Sequence, residues 1–120
     1  MANPFVHIEL MSAEIGKAKD FYGKLLDWKL EDVQMPEMIY TMIQVGEGTG
    51  GGMMQNPMPN APSTWLPYVD VDDLPAKTAK AKSLGATVLK ENVEVMGHGA
   101  YSIITDPTGA MFGLWQQKKA

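Results

Sequence analysis

The chain has no cysteine at all, and that one absence removes disulfides, thiolate nucleophiles and cysteine-based metal sites together. No basic block exists apart from the terminal Lys118 and Lys119 pair. The net charge of -4 and pI near 5.0 turn the surface away from nucleic acid and from anionic membranes. There is no apolar run of membrane-spanning length, and no basic start followed by an apolar stretch, so the expectation is a cytoplasmic protein. What remains is ordinary globular material: 120 residues, 45% hydrophobic and 20% charged, enough for one domain with a real core. Ten methionines are many for this length. They serve either as core filling or as the walls of an adaptable apolar pocket.

The chain says one thing twice. Tyr40 to Gln55 (YTMIQVGEGTGGGMMQ) aligns without a gap on Tyr101 to Gln116 (YSIITDPTGAMFGLWQ), 61 residues later, sharing Tyr40/Tyr101, Ile43/Ile104, Gly48/Gly109, Gly52/Gly113 and Gln55/Gln116. Each segment reads as two apolar strands about a glycine turn, with Asp106-Pro107-Thr108-Gly109 as the second turn. Ahead of the first hairpin, Phe5 to Met11 alternates as a strand, with Val6, Ile8 and Leu10 facing the core and Phe5, His7, Glu9 and Met11 the other side. A helix follows, capped by Ser12, with the stripe Ile15, Ala18, Tyr22 and Leu25 widened by Phe21 and Leu26. Trp28 to Val33 is a strand. Asn56 to Thr64 carries three prolines and reads as a linker. Leu66 to Val71 then opens the second half, with a helix capped by Asp72 or Asp73 and striped by Leu74, Thr78, Ala81 and Leu84, before Gly85 ends it. Thr87 to Glu91 is its next strand, and Val95 to Gly99 a flexible loop. The expected architecture is α+β: two tandem β-α-β-β-β modules, residues 4–55 and 64–117 joined by linker 56–63, forming a curved mixed sheet around a cavity with the helices outside.

These features resemble the vicinal oxygen chelate superfamily, which includes glyoxalase I, extradiol dioxygenases and bleomycin-resistance proteins. The marks are His7 on the first strand, Phe21-Tyr22, Leu26-Asp27-Trp28, Leu84-Gly85-Ala86 and the DPTGAMFGLWQ close. That close, with Glu9 two residues after His7 and Trp65-Leu66-Pro67-Tyr68, is similar to a subgroup of enzymes related to lactoylglutathione lyase. The resemblance implies two β-α-β-β-β modules, pairing of two chains, and a divalent metal on four side chains. Carried onto this sequence, those four positions are His7, Leu66, Gly52 and Gly113, so three of the four ligands are missing. The expectation is therefore no metal and no cofactor.

Strand alternation puts His7 and Glu9 away from the helix, and the duplication sets Tyr68 opposite Glu9. These three are the candidate catalytic residues. Phe5, Met11, Met54, Trp65, Met111 and Trp115 are the candidate ligand-binding surface, with His98 in the loop near the cavity mouth. A strand histidine bonded to a neighbour and a solvated carboxylate are the plain alternatives for His7 and Glu9. Among methionines and aromatics, though, a carboxylate loses hydration, which favours its protonated form and suits acid/base work. Two functions follow: a metal-independent protein binding a small apolar or aromatic molecule, and a lyase or isomerase using Glu9 as general acid/base. A homodimer is expected from the resemblance.

Overall fold

A computed structural model describes residues 2–118. Met1, Lys119 of the terminal basic pair and Ala120 lie outside the described residues. The elements run β1 (Phe5–Ser12), α1 (Ile15–Leu25), β2 (Lys29–Gln34), β3 (Ile39–Gln44) and β4 (Gly51–Gln55), then β5 (Thr64–Asp70), α2 (Leu74–Ser83), β6 (Thr87–Val95), β7 (Gly99–Thr105) and β8 (Met111–Gln117). The fold is thus α+β, with the order β-α-β-β-β occurring twice. Two compact units form: Val6–Leu66, and the residues from Pro67 onward together with those up to Phe5. Among the described residues, no helix is long and apolar enough to cross a membrane.

In the first unit the strand order is β2-β3-β4-β1, with β1 and β4 parallel and the other neighbours antiparallel. The second unit has β5-β8-β7-β6, built the same way. The repeat extends to individual pairs. Thr41, Met42 and Ile43 lie opposite Met53, Gly52 and Gly51; Ser102, Ile103 and Ile104, each 61 positions later, lie opposite Leu114, Gly113 and Phe112. Even the turns match, since Gly48 and Gly109 both hold a positive φ (105° and 98°) that a residue with a Cβ rarely adopts. At the second turn the Gly109 N–H donates to the Asp106 carbonyl, while the Asp106 carboxylate accepts from the Thr108 hydroxyl and from the Thr108 and Ala110 N–H groups. These bonds, led by the Thr108 hydroxyl, hold the Asp106 carboxyl below its usual range.

Each helix covers one side of its own strands. Under α1 the buried core is Leu10, Ile43 and Met53, joined by Ile15, Ala18, Tyr22, Trp28, Leu30 and Val45. Under α2 it is Val69, Val71, Leu74 and Leu114, with Ala100 and Phe112. There Thr78 donates to the Leu74 carbonyl, Ser102 donates to the Thr78 oxygen, and the Asn92 N–H donates to Ser102, so the buried hydroxyls are all paired.

Several boundaries differ from expectation. Ser12 ends β1 and its hydroxyl accepts from the Glu14 N–H, but Glu14 occupies the N-cap position without a side-chain cap bond. Val6 and Ile8 are each 37% exposed, because the contacts of α1 gather at Leu10 near the end of β1. Phe21, Leu25 and Leu26 are exposed too, since Trp28 stacks on Tyr22 and Trp65 meets both edge-on, filling that side of the core. Leu84 is the exposed C-cap of α2 rather than part of its stripe. Asp73 caps that helix as expected, donated to by the Ala76 N–H, and Gly85 ends it at φ +103°.

Candidate functional site

On the face of the first unit away from α1, three side chains join in one hydrogen-bonded chain. His7 and Glu9 project from β1 to the same side, two residues apart. Tyr40, on β3, reaches between them: its hydroxyl lies 2.7 Å from His7 Nε2 and 2.9 Å from Glu9 Oε1. A phenol has one proton to give, and here it goes to the carboxylate. The Tyr40 oxygen therefore accepts from His7, which fixes the neutral imidazole as the Nε2–H tautomer. The two rings are nearly parallel, 21° apart, with centroids 6.2 Å from each other. Burial lowers the His7 pKa from its ordinary value of 6.5, so the ring is neutral in this chain of bonds at neutral pH.

That shift has a measurable sign. Between the lowered folded pKa and 6.5 the unfolded chain binds more protons at this histidine than the folded one, so stability falls as the pH drops through that window. A His7→Gln variant, followed by thermal melting at stepped pH, is expected to lose less stability than the parent between pH about 7.5 and about 5.5. Equal losses would show that His7 does not titrate differently in the two states.

Around the chain of bonds the face carries methionines, with the exposed Glu31 opposite Met42 and Lys29 opposite Gln44 at its β2 margin. Met11 lies opposite Met54, Met42 opposite Gly52, and Val33 opposite Tyr40, all on this side by register. The expected Met11 and Met54 are thus beside His7 and Glu9. Trp65 is not: it packs against Tyr22 and Trp28 on the helix side. Phe5 makes an edge contact with Phe112, 6.4 Å between centroids, in the second unit. Within that unit Tyr68 is the register counterpart of Glu9, each lying opposite the equivalent glycine, Gly113 or Gly52. Tyr68 is buried and meets Tyr101 edge-on at 6.2 Å. Trp115 lies opposite Tyr101 and Met111 opposite Thr105. His98 is exposed in the tight β6–β7 turn, its N–H donating to the Val95 carbonyl; β6 runs on to Val95, so the expected flexible loop is short.

Each unit carries a cleft. One of about 300 Å³ runs along α1 beside Leu10, Lys17, Phe21, Tyr22 and Ser63. The other, of about 400 Å³, lies by Pro75, Asn92, Glu94 and Gln116. His7, Glu9 and Tyr40 line neither.

A divalent metal does not fit the matching positions. Gly52 and Gly113 offer no donor, and the space a side chain would enter is filled: a Cβ at Gly52 would fall on the Tyr40 ring, and one at Gly113 on the Tyr68 ring. Leu66 is wholly buried hydrocarbon, and His7 spends Nε2 on Tyr40. Among the described residues, no group of three or more His, Cys, Asp or Glu side chains comes together to hold an ion.

Set beside known proteins, the chain matches the Glyoxalase/Bleomycin resistance protein/Dioxygenase superfamily over residues 5–114, and it belongs to that family. It is 36% identical over 75 residues to the putative glyoxylase CFP32 of Mycobacterium bovis, covering 62% of this chain and 29% of that one. It is 25% identical over 127 residues to the anthracycline biosynthesis protein DnrV of Streptomyces peucetius, covering 91% of this chain and 45% of the relative. The chain therefore spans less than half the length of either. Its fold is similar to the crystal structure of a hypothetical protein of Bacillus halodurans C-125, with TM-score 0.76, 14% identity, and coverage of 100% and 98% of the two chains.

Tyr40 is the member of the site that alternation within one strand does not find. Its signal in the sequence was recurrence, as Tyr40/Tyr101, beside the recurrent Gly52/Gly113.

Proposed function

We propose that this chain binds a small apolar or aromatic organic molecule on the face carrying His7, Glu9 and Tyr40, without a metal. The observation that supports it most is the Tyr40 hydroxyl bonded to both His7 and Glu9 at the edge of a methionine-bearing surface. A few polar groups set in apolar surroundings orient a ligand, and flexible thioethers adapt to its shape. The likeness to an anthracycline biosynthesis protein, along 91% of this chain, supports an aromatic ligand class.

The same geometry favours a second reading, a lyase or isomerase. Glu9 would take or give a proton through Tyr40, while the neutral His7 N–H holds the phenol oxygen. Homodimer formation belongs to this proposal as an expectation, with the exposed Phe21 and Leu25 of α1 as apolar surface available for it.

The test is a thermal-shift screen of aromatic and alicyclic compounds against the parent, Glu9→Gln and Tyr40→Phe. Hits on the parent are expected to weaken about tenfold or more in both variants, the effect of losing a hydrogen bond to a charged group. Hits that bind all three proteins alike would place the site elsewhere. Turnover of a hit by the parent, abolished in Glu9→Gln, would select the enzyme reading.

A further inference from the structure

The site depends on a residue that contributes no side chain to it. Because the strands lie in the order β3-β4-β1, Tyr40 starts two strands away from His7 and Glu9. Neighbouring strands are about 4.8 Å apart, so the gap is roughly 10 Å, and a tyrosine bridges it only by laying its ring across the strand between. The register names the place of crossing. Gly52 lies opposite Glu9 on one side and Met42 on the other. A Cβ built there would land on Cε2, Cζ and Oη of Tyr40.

Glycine at this position is not explained by its backbone. The glycines with positive φ are 46, 48, 85, 97, 99 and 109, and Gly52 and Gly113 are not among them. What these two share is an aromatic ring in the space of the missing side chain. Over Gly113 it is Tyr68, arriving from the strand directly alongside rather than from two strands away. The duplicated glycines are therefore seated against rings by two different routes, so close packing of an aromatic, rather than turn geometry, is the common requirement.

We infer that Gly52 is a positioning residue of the site, the seat that lets Tyr40 cross β4 and hold His7 and Glu9 in one hydrogen-bonded chain, and that Gly113 is likewise the seat of the Tyr68 ring arriving from the adjacent strand. This deepens the proposed function and rests on its reading of where the site lies. The empty place at residue 52 is then not merely a lost carboxylate. It is required by the phenol that now occupies it. A side chain at 52 displaces the ring, separates Tyr40 from Glu9, and removes the geometry while both polar residues remain in the chain.

The experiment uses the full chain and no ligand, so a failed compound screen leaves it standing, and a flat result here leaves the screen standing. The Hα protons of Gly52 are assigned by NMR in the parent and in Tyr40→Leu, and those of Gly113 in the parent and in Tyr68→Leu. An aromatic ring against each glycine is expected to displace these resonances from their ordinary positions, and the leucine variants to return them. Melting temperatures are then measured for Gly52→Ala, Tyr40→Ala, the double variant, and Gly16→Ala, where a Cβ meets nothing within 4 Å. Gly52→Ala is expected to melt lower by about 5 °C or more in the parent and to have little further effect in the Tyr40→Ala background. Gly16→Ala, in α1, is expected to cost nothing. The inference is overturned if the Gly52 resonances do not move in Tyr40→Leu, or if Gly52→Ala costs the same with and without the tyrosine. The first comparison decides the matter even where Gly52→Ala fails to fold.

Discussion

Replacing Met53 with alanine is expected to destabilise the protein by about 2–5 kcal/mol, the range for removing a long apolar side chain from a closed core. Met53 is 0% exposed and packs with Leu10 and Ile43, the other buried hydrophobics of that cluster. The neighbours that line the place, Tyr22, Trp28 and Leu30, are held by the helix and by ring stacking, so little can move in to refill it. Met42, on the opposite face and 36% exposed, is the internal comparison: Met42→Ala is expected to cost under about 1 kcal/mol. Urea unfolding of the two variants checks both. Similar midpoints would mean that the two faces are not buried so differently as the packing indicates.

Gly52→Glu is expected to harm the fold rather than create a metal site. It puts a carboxylate at one of the positions where the metal enzymes that this chain resembles carry one. The side chain would enter the space of the Tyr40 ring, beside Glu9 in the neighbouring strand. Overpacking costs about 1–3 kcal/mol, and setting a second carboxylate against the first adds like-charge repulsion and lost hydration, so a total of about 3 kcal/mol or more is expected. Melting curves with and without manganese, nickel or zinc give the readout. No metal-dependent rise is expected in this variant; a rise of several degrees at low metal concentration would show that the ring yields and a coordination site assembles.

The parts of this structure that the sequence made legible are those governed by spacing along one strand or by the repeat. The constant offset of 61 reappears as identical strand pairing in the two hairpins. Alternation in Phe5 to Met11 correctly set His7 and Glu9 on one side. The equivalence of Glu9 and Tyr68 also reappears, as partners of Gly52 and Gly113. What alternation does not carry is contact across a strand. Tyr40 meets His7 and Glu9 because β4 lies between β3 and β1 and carries glycine at the crossing, a fact of strand order rather than of periodicity. Trp65 shows the opposite failure. It was expected on the ligand face, but it lies three residues before Tyr68 in one strand and so projects to the helix side, where it meets Tyr22 and Trp28 edge-on while staying 37% exposed. The strand expected from Thr87 to Glu91 was too short for a local reason: an irregularity between Lys90 and Val93, with Asn92 at φ 48°, lets β6 continue to Val95.

The histidine ring nitrogens report directly on the hydrogen-bonded chain from His7 through Tyr40 to Glu9. In a long-range ¹H–¹⁵N NMR spectrum at neutral pH, His7 is expected to be neutral and protonated at Nε2, with that proton protected from exchange by Tyr40. In Tyr40→Phe the protection is expected to vanish. A His7 ring that is instead protonated at Nδ1, or is a freely exchanging imidazolium unaffected by Tyr40→Phe, would contradict the account.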